Sequence, residues 1–70
     1  MAEDLNNPLR FYYKNWKGKC GYRNVLDPKL WFGTTPYHKK PQWLMRAYDI
    51  DKGDVRDFAV NDIIEFVREV

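Results

Sequence analysis

Four arginines, Arg10, Arg23, Arg46 and Arg56, and the aromatic residues interleaved with them, Tyr12, Trp31 and Trp43, are the side chains of this 70-residue chain with the most readable chemistry. A guanidinium presents paired N–H donors that match a phosphate or carboxylate bidentately. An aromatic face stacks a nucleobase for about 1 to 3 kcal/mol. The combination points to an anionic ligand, either nucleic acid or a small anionic effector, with Arg10, Tyr12, Arg23, Trp43, Arg46 and Arg56 as the candidate binding residues. For each aromatic taken singly, core packing is the competing expectation. No comparable set points to catalysis. Asp49, Asp51, Asp54 and Asp57 stand beside Lys52 and Arg56 in the manner of turn and solvent-face carboxylates, and general acid–base work needs a perturbed pair in a pocket. No nucleophile has an adjacent base, and no glycine-rich phosphate loop or metal-ligand spacing is present. The chain therefore reads as a non-enzyme that needs no cofactor. The lone Cys20 is expected to fill core space, and the lone His38 to face solvent in a polar loop rather than hold a metal.

Charge is segregated along the sequence. Residues 10 to 46 carry nine Lys or Arg against the single acid Asp27, whereas residues 47 to 70 carry seven acids against Lys52, Arg56 and Arg68. Such polarity steers an anionic partner to one surface, or draws two halves or two subunits together. Both uses remain open at this level.

These side chains need a scaffold. A chain this short buries only about 60% of its unfolded surface, so its stability depends on dense residues. Three Trp, five Tyr and four Phe supply them. Residues 1–8 read as a loose lead-in and 9–70 as a single domain. Leu9 to Lys14 alternates as a first strand, and Asn15-Trp16-Lys17-Gly18 turns into a second strand from Lys19 to Leu26. Asp27-Pro28 is expected to break the ladder before a third strand, Lys29 to Thr34. A loop from Thr35 to Pro41 follows. Gln42 to Ile50 and Val55 to Val60 flank Asp51-Lys52-Gly53-Asp54 as a hairpin. Asn61-Asp62 then caps a short helical stretch, Ile63 to Arg68, read as one helical turn followed by an extended end, for which a sixth strand is the alternative. Short strands without a long helix exclude a parallel sheet. An all-β antiparallel meander closed into a barrel fits, with Gly21 and Gly33 at its corners. The strand Gln42 to Ile50 is apolar on both faces, through Trp43, Met45 and Ala47 on one and Leu44, Tyr48 and Ile50 on the other, so one face must cover a neighbour, a ligand or a second subunit.

The series Phe11-Tyr12-Tyr13, Gly18, Arg23, Pro28, Gln42-Trp43-Leu44 with Ala47 and Asp49, Gly53, Arg56, Phe58 and Ile63 resembles the WYL domain of bacterial transcriptional regulators and their phage or mobile-element relatives. The likeness in order and spacing runs over residues 9 to 66. The family's Trp-Tyr-Leu corresponds to Gln42-Trp43-Leu44, which keeps Leu44 and an aromatic at the middle place. The resemblance implies a five-stranded, Sm-like or src-homology-3-like barrel with a short C-terminal helical turn. It also implies a sensing role, in which a groove of basic and aromatic side chains binds nucleic acid or a small anionic effector. Arg23 and Arg56 fall on the family's basic positions, whereas two other positions that are often basic are Ala59 and Asp62 here. Without the family's helix-turn-helix, the chain is not expected to act alone as a DNA-reading repressor. A protein-interaction subunit or homodimeric adaptor is the alternative reading, through the second apolar face of the Gln42 strand and exposed Trp16 or Tyr37. With one cysteine and no secretory or membrane-spanning segment, a cytoplasmic location without membrane contact is expected.

Overall fold

The computed structural model describes residues 8–67; of the expected lead-in only Pro8 falls inside that range, and Arg68 falls outside it. The chain forms one antiparallel sheet of five strands, β1 (Leu9–Lys14), β2 (Cys20–Gly33), β3 (Gln42–Asp49), β4 (Asp54–Ala59) and β5 (Ile63–Val67). Their order across the sheet is β4-β3-β2-β1-β5.

Two boundaries differ from the sequence reading. The second and third expected strands are one continuous strand of 14 residues. Asp27-Pro28 forms a bulge in it rather than a break: the register against β3 slips between Leu26 and Lys29, and Asp27 takes a positive φ of 52°. A bulge tolerates a proline, because the extra residue has no ladder hydrogen bond to lose. The bend assigned to Gly21 therefore sits at Asp27. Gly21 lies opposite Tyr13 in unbroken register and does not use a positive φ. At the C-terminal end, Ile63 to Val67 is extended, and the helical turn is a 3-10 turn just before it, at Val60–Asp62. Ile63, Ile64, Phe66 and Val67 favour an extended backbone, and pairing with β1 supplies the partner strand they need.

A short link forces the sheet to curl. β4 and β5 are the two outermost strands, yet only the Val60–Asp62 turn joins them. From Ala59 to Ile63 the backbone reaches at most about 14 Å, while the edges of a flat five-stranded sheet lie about 19 Å apart. The edges must therefore approach each other. They do not complete the expected closed barrel, for β4 and β5 share no ladder. A side chain bridges the gap instead. The Ala59 N–H on the edge of β4 donates to the Tyr13 hydroxyl of β1 at 2.8 Å.

The curl encloses Phe11, Tyr13, Val25, Met45, Ala47 and Phe58, with Leu9, Val60 and Ile63 packed at the margin. Phe58 meets Phe11 and Tyr13 edge-on, with ring centroids 5.2 and 5.1 Å apart, a geometry that adds about 0.5 to 1.5 kcal/mol per pair beyond the buried area. On the opposite face of β3, Leu44 is also fully buried, in register between Trp31 and Ala59. The Trp31 ring lies over Gly33, where a Cβ would collide with it, and its Nε1–H donates to Asp57 at 2.8 Å. Gly33 thus makes room for an indole. Both faces of β3 are used near its middle, whereas Leu30, Phe32 and Trp43 at the far end of the β2–β3 ladder stay more than half exposed. Cys20, expected in the core, is exposed, because the inward position beside it is taken by Gly21 opposite Tyr13.

Candidate anion-binding cleft

Strand parity places two of the four arginines on the inner face. Arg23 is opposite Phe11, and Arg56 is opposite Ala47, so both share the side of the sheet that carries the core. Beyond the last core residues, Tyr13 and Phe58, that inner face opens into a cleft of about 250 Å³. Arg23, Arg56, Tyr13 and Phe58 line it, together with Asn15, Trp16 and Lys17 from the β1–β2 turn, Tyr37 and His38 from the 34–41 loop, and Asp57.

Each loop that contributes is stiffened locally. The Asn15 side chain accepts the N–H groups of Lys17 and Lys19 at 2.9 Å each, and Gly18 completes the turn at φ 86°. Trp16 and Lys17 are thereby held above the cleft. Across from them, Thr35 and His38 exchange backbone hydrogen bonds of 3.0 and 3.1 Å. The Thr35 hydroxyl oxygen also accepts the N–H groups of Tyr37 and His38 and contacts His38 Nδ1 at 3.1 Å. The expectation that His38 simply faces solvent is corrected: its ring is half-buried, anchored by that threonine. Trp16 and Tyr37, both largely exposed as expected, approach to 5.7 Å between ring centroids and flank the mouth.

The electrostatics favour an anion. Lys17, Arg23 and Arg56 line the cleft with one acidic residue, Asp57, whose carboxylate is engaged on the outer face by Trp31 Nε1–H and by Arg46, whose Nε lies 3.1 Å away. Among the described residues neither Arg23 nor Arg56 forms an ion pair. Arg23 Nε and His38 Nε2 are both shielded from solvent without a hydrogen-bond partner. A buried donor left unpaired costs about 1 to 3 kcal/mol, which an incoming acceptor recovers. Burial pushes the Tyr13 hydroxyl above its ordinary pKa, with Asp62 adding to the rise; the Ala59 hydrogen bond, Arg23 and Arg56 act against it. Tyr13 therefore keeps its proton at neutral pH.

The six candidate binding residues separate into four places. Arg23 and Arg56 share the cleft. Arg10 and Tyr12 lie on the outer face of β1, where Arg10 stands 4.7 Å over the Tyr22 ring and Tyr12 packs 4.8 Å from it. Arg46 lies on the outer face of β3, tied to Asp57 and 5.2 Å over the Trp31 ring. Trp43 meets Phe32 edge-on at the exposed end of the β2–β3 ladder, 5.4 Å between centroids. Tyr13, Lys17 and His38 join the cleft although none is among the candidate binding residues of the sequence; for His38 the available signal is the Thr35-x-x-His38 spacing of a side-chain-closed turn.

Among the described residues no cluster of His, Cys, Asp or Glu is arranged to hold a metal ion, and no helix is long and apolar enough to cross a membrane. No protein-family model, no curated protein and no solved structure matches the chain.

Proposed function

We propose that this chain is a non-catalytic, cytoplasmic binding module that senses an anionic ligand, nucleic acid or a small anionic effector, in the cleft between the β1–β2 turn and β4. One observation carries the reading. Arg23 and Arg56 come from strands that are not neighbours in the sheet, yet they line one cleft, and Asp57, the one acidic residue lining it among the described residues, has its carboxylate committed elsewhere. The resemblance to WYL domains, which puts these same two arginines at the basic positions of a ligand groove, supports it. Trp16 and Tyr37 at the mouth supply flat faces for a base or another planar group.

Isothermal titration or fluorescence anisotropy with a short single-stranded oligonucleotide, repeated over a range of salt, tests the proposal. Replacing both Arg23 and Arg56 with Ala abolishes binding and leaves the fold intact. The wild-type affinity falls with salt as counterions are released. Wild-type protein with no salt-dependent affinity for oligonucleotides or nucleotides refutes it.

A second reading has its own support. Leu30, Phe32 and Trp43 form an exposed apolar group at one end of the molecule, of the kind that interaction surfaces use. A protein-interaction or homodimer role predicts association that rises with concentration in analytical ultracentrifugation. A concentration-independent monomer that copurifies with nothing counts against it.

A further inference from the structure

Thr35 anchors the His38 ring through its Nδ1. The Thr35 hydroxyl oxygen accepts the backbone N–H groups of Tyr37 and His38, at 3.2 and 3.0 Å, the second shared with the Thr35 carbonyl at 3.1 Å. With donors already on that oxygen, the hydroxyl has its own proton to give to His38 Nδ1, 3.1 Å away, and in that arrangement Nδ1 is the acceptor. In a neutral imidazole the proton is left on Nε2. That Nε2 is the buried nitrogen without a partner in the wall of the cleft. Tyr13 is similarly arranged, since its oxygen accepts the Ala59 N–H and its own proton makes no hydrogen bond among the described residues.

We propose that His38, held by Thr35 with Nε2–H as the donor facing the cleft, completes with Arg23, Arg56 and Tyr13 a site for a phosphate monoester. This rests on the anion-binding reading and narrows it. All four line the cleft, each can donate a hydrogen bond, and two of them are guanidiniums with paired donors. A phosphodiester inside a strand offers two non-bridging oxygens to so many donors. A terminal phosphate offers three strong acceptor oxygens and up to two charges, and so uses the set more fully. The volume of the cleft, about 250 Å³, also suits one end group rather than a strand passing through. Trp16 and Tyr37 flank the entrance and stack on the group that bears the phosphate.

Two measurements test this. The tautomer is read without ligand, from long-range proton–nitrogen correlation spectra of the imidazole: Nε2 is protonated in the wild type, and the Thr35→Val variant shows a mixture of the two forms. A spectrum with Nδ1 protonated in the wild type overturns the proposal. Binding is read from Trp fluorescence with three probes: a 5′-phosphorylated hexathymidylate, the same oligonucleotide with a 5′-hydroxyl, and thymidine 5′-monophosphate. The phosphorylated oligonucleotide binds more tightly than the hydroxyl form, and the mononucleotide arm shows whether the phosphate is recognised free or at the end of a strand. His38→Asn, which cannot place a donor at the Nε2 position, weakens the phosphorylated probe roughly 3- to 10-fold, as expected for one neutral hydrogen bond. His38→Gln, which can place one there, restores most of it. Equal binding of the phosphorylated and hydroxyl oligonucleotides, with His38→Asn unchanged, overturns this proposal and leaves the anion-binding reading standing. Failure of all three probes on the wild type overturns both.

Discussion

Replacing Tyr13 with Phe isolates the hydrogen bond that stands in for barrel closure. The Phe ring keeps the edge-on contacts to Phe11 and Phe58 at 5.9 and 5.1 Å, so packing is preserved and only the hydroxyl is lost. Ala59, 1% exposed, then has an N–H with no acceptor and no access to water. An unsatisfied buried donor costs about 1 to 3 kcal/mol. Each kcal/mol moves the midpoint of a domain of this size by about 4 to 8 °C, so the variant melts between about 5 and 20 °C lower. That is a large share of the total for a domain whose single small core supplies about 3 to 5 kcal/mol. Urea denaturation measures the loss directly, with an unchanged m-value showing that the fold is retained. Amide exchange locates it, because the Ala59 N–H exchanges faster in the variant while the β2–β3 ladder stays protected. A variant within about 0.5 kcal/mol of the wild type, with the Ala59 amide equally slow, refutes the view that this side chain ties the β4 edge to β1.

Two further outcomes follow from the same contacts. The Gly33→Ala variant puts a methyl group into the Trp31 ring, displacing the indole from Asp57 and exposing Leu44; a loss of about 1 to 3 kcal/mol and a red shift in Trp emission check it, and wild-type stability with unchanged emission refutes it. The raised pKa of Tyr13 makes stability fall in alkali: the unfolded chain gives up this proton near the ordinary value of 10.0 while the folded chain still holds it, so the contribution is complete below that pH and is lost as pH climbs through the folded value. Denaturant midpoints taken upward from about pH 10 therefore fall more steeply for the wild type than for Tyr13→Phe, and parallel curves refute the assignment.

Elements encoded by neighbouring residues were legible in the sequence. β1 shows alternation, and the β3–β4 hairpin carries its own turn chemistry: Gly53 at φ 69° donates to the Asp49 carbonyl, and the Asp49 carboxylate accepts the N–H groups of Asp51 and Lys52. The bulge was misread because Asp-Pro ordinarily ends a strand, and only pairing with β3 on both sides of it shows that β2 continues. The open barrel was hidden for a different reason. The Tyr13–Ala59 bond joins residues 46 apart, and no local pattern reports such a contact. At the site, Arg23 and Arg56 were brought forward as a pair by resemblance and are placed together by inward parity on β2 and β4. Arg10, Tyr12 and Arg46 fall on outward positions of their strands, a distinction that depends on knowing which parity faces the core. His38 was passed over because a polar loop ordinarily leaves such a ring in water, and the anchoring role of Thr35 becomes plain only once the turn is closed.

Val25 is the one residue of β2 paired on both sides, to Leu9 of β1 and to Asp49 of β3, and the bulge at Asp27 follows two residues later. Two arms of the sheet meet at this elbow, one carrying β1 and the other β3. Arg23 rides on one arm, and Arg56, carried by the β3–β4 hairpin, rides on the other. The gape between the two guanidiniums is therefore set by the angle of that elbow together with the Tyr13–Phe58 contact and the Tyr13–Ala59 bond, which pin one arm to the other at the floor of the cleft.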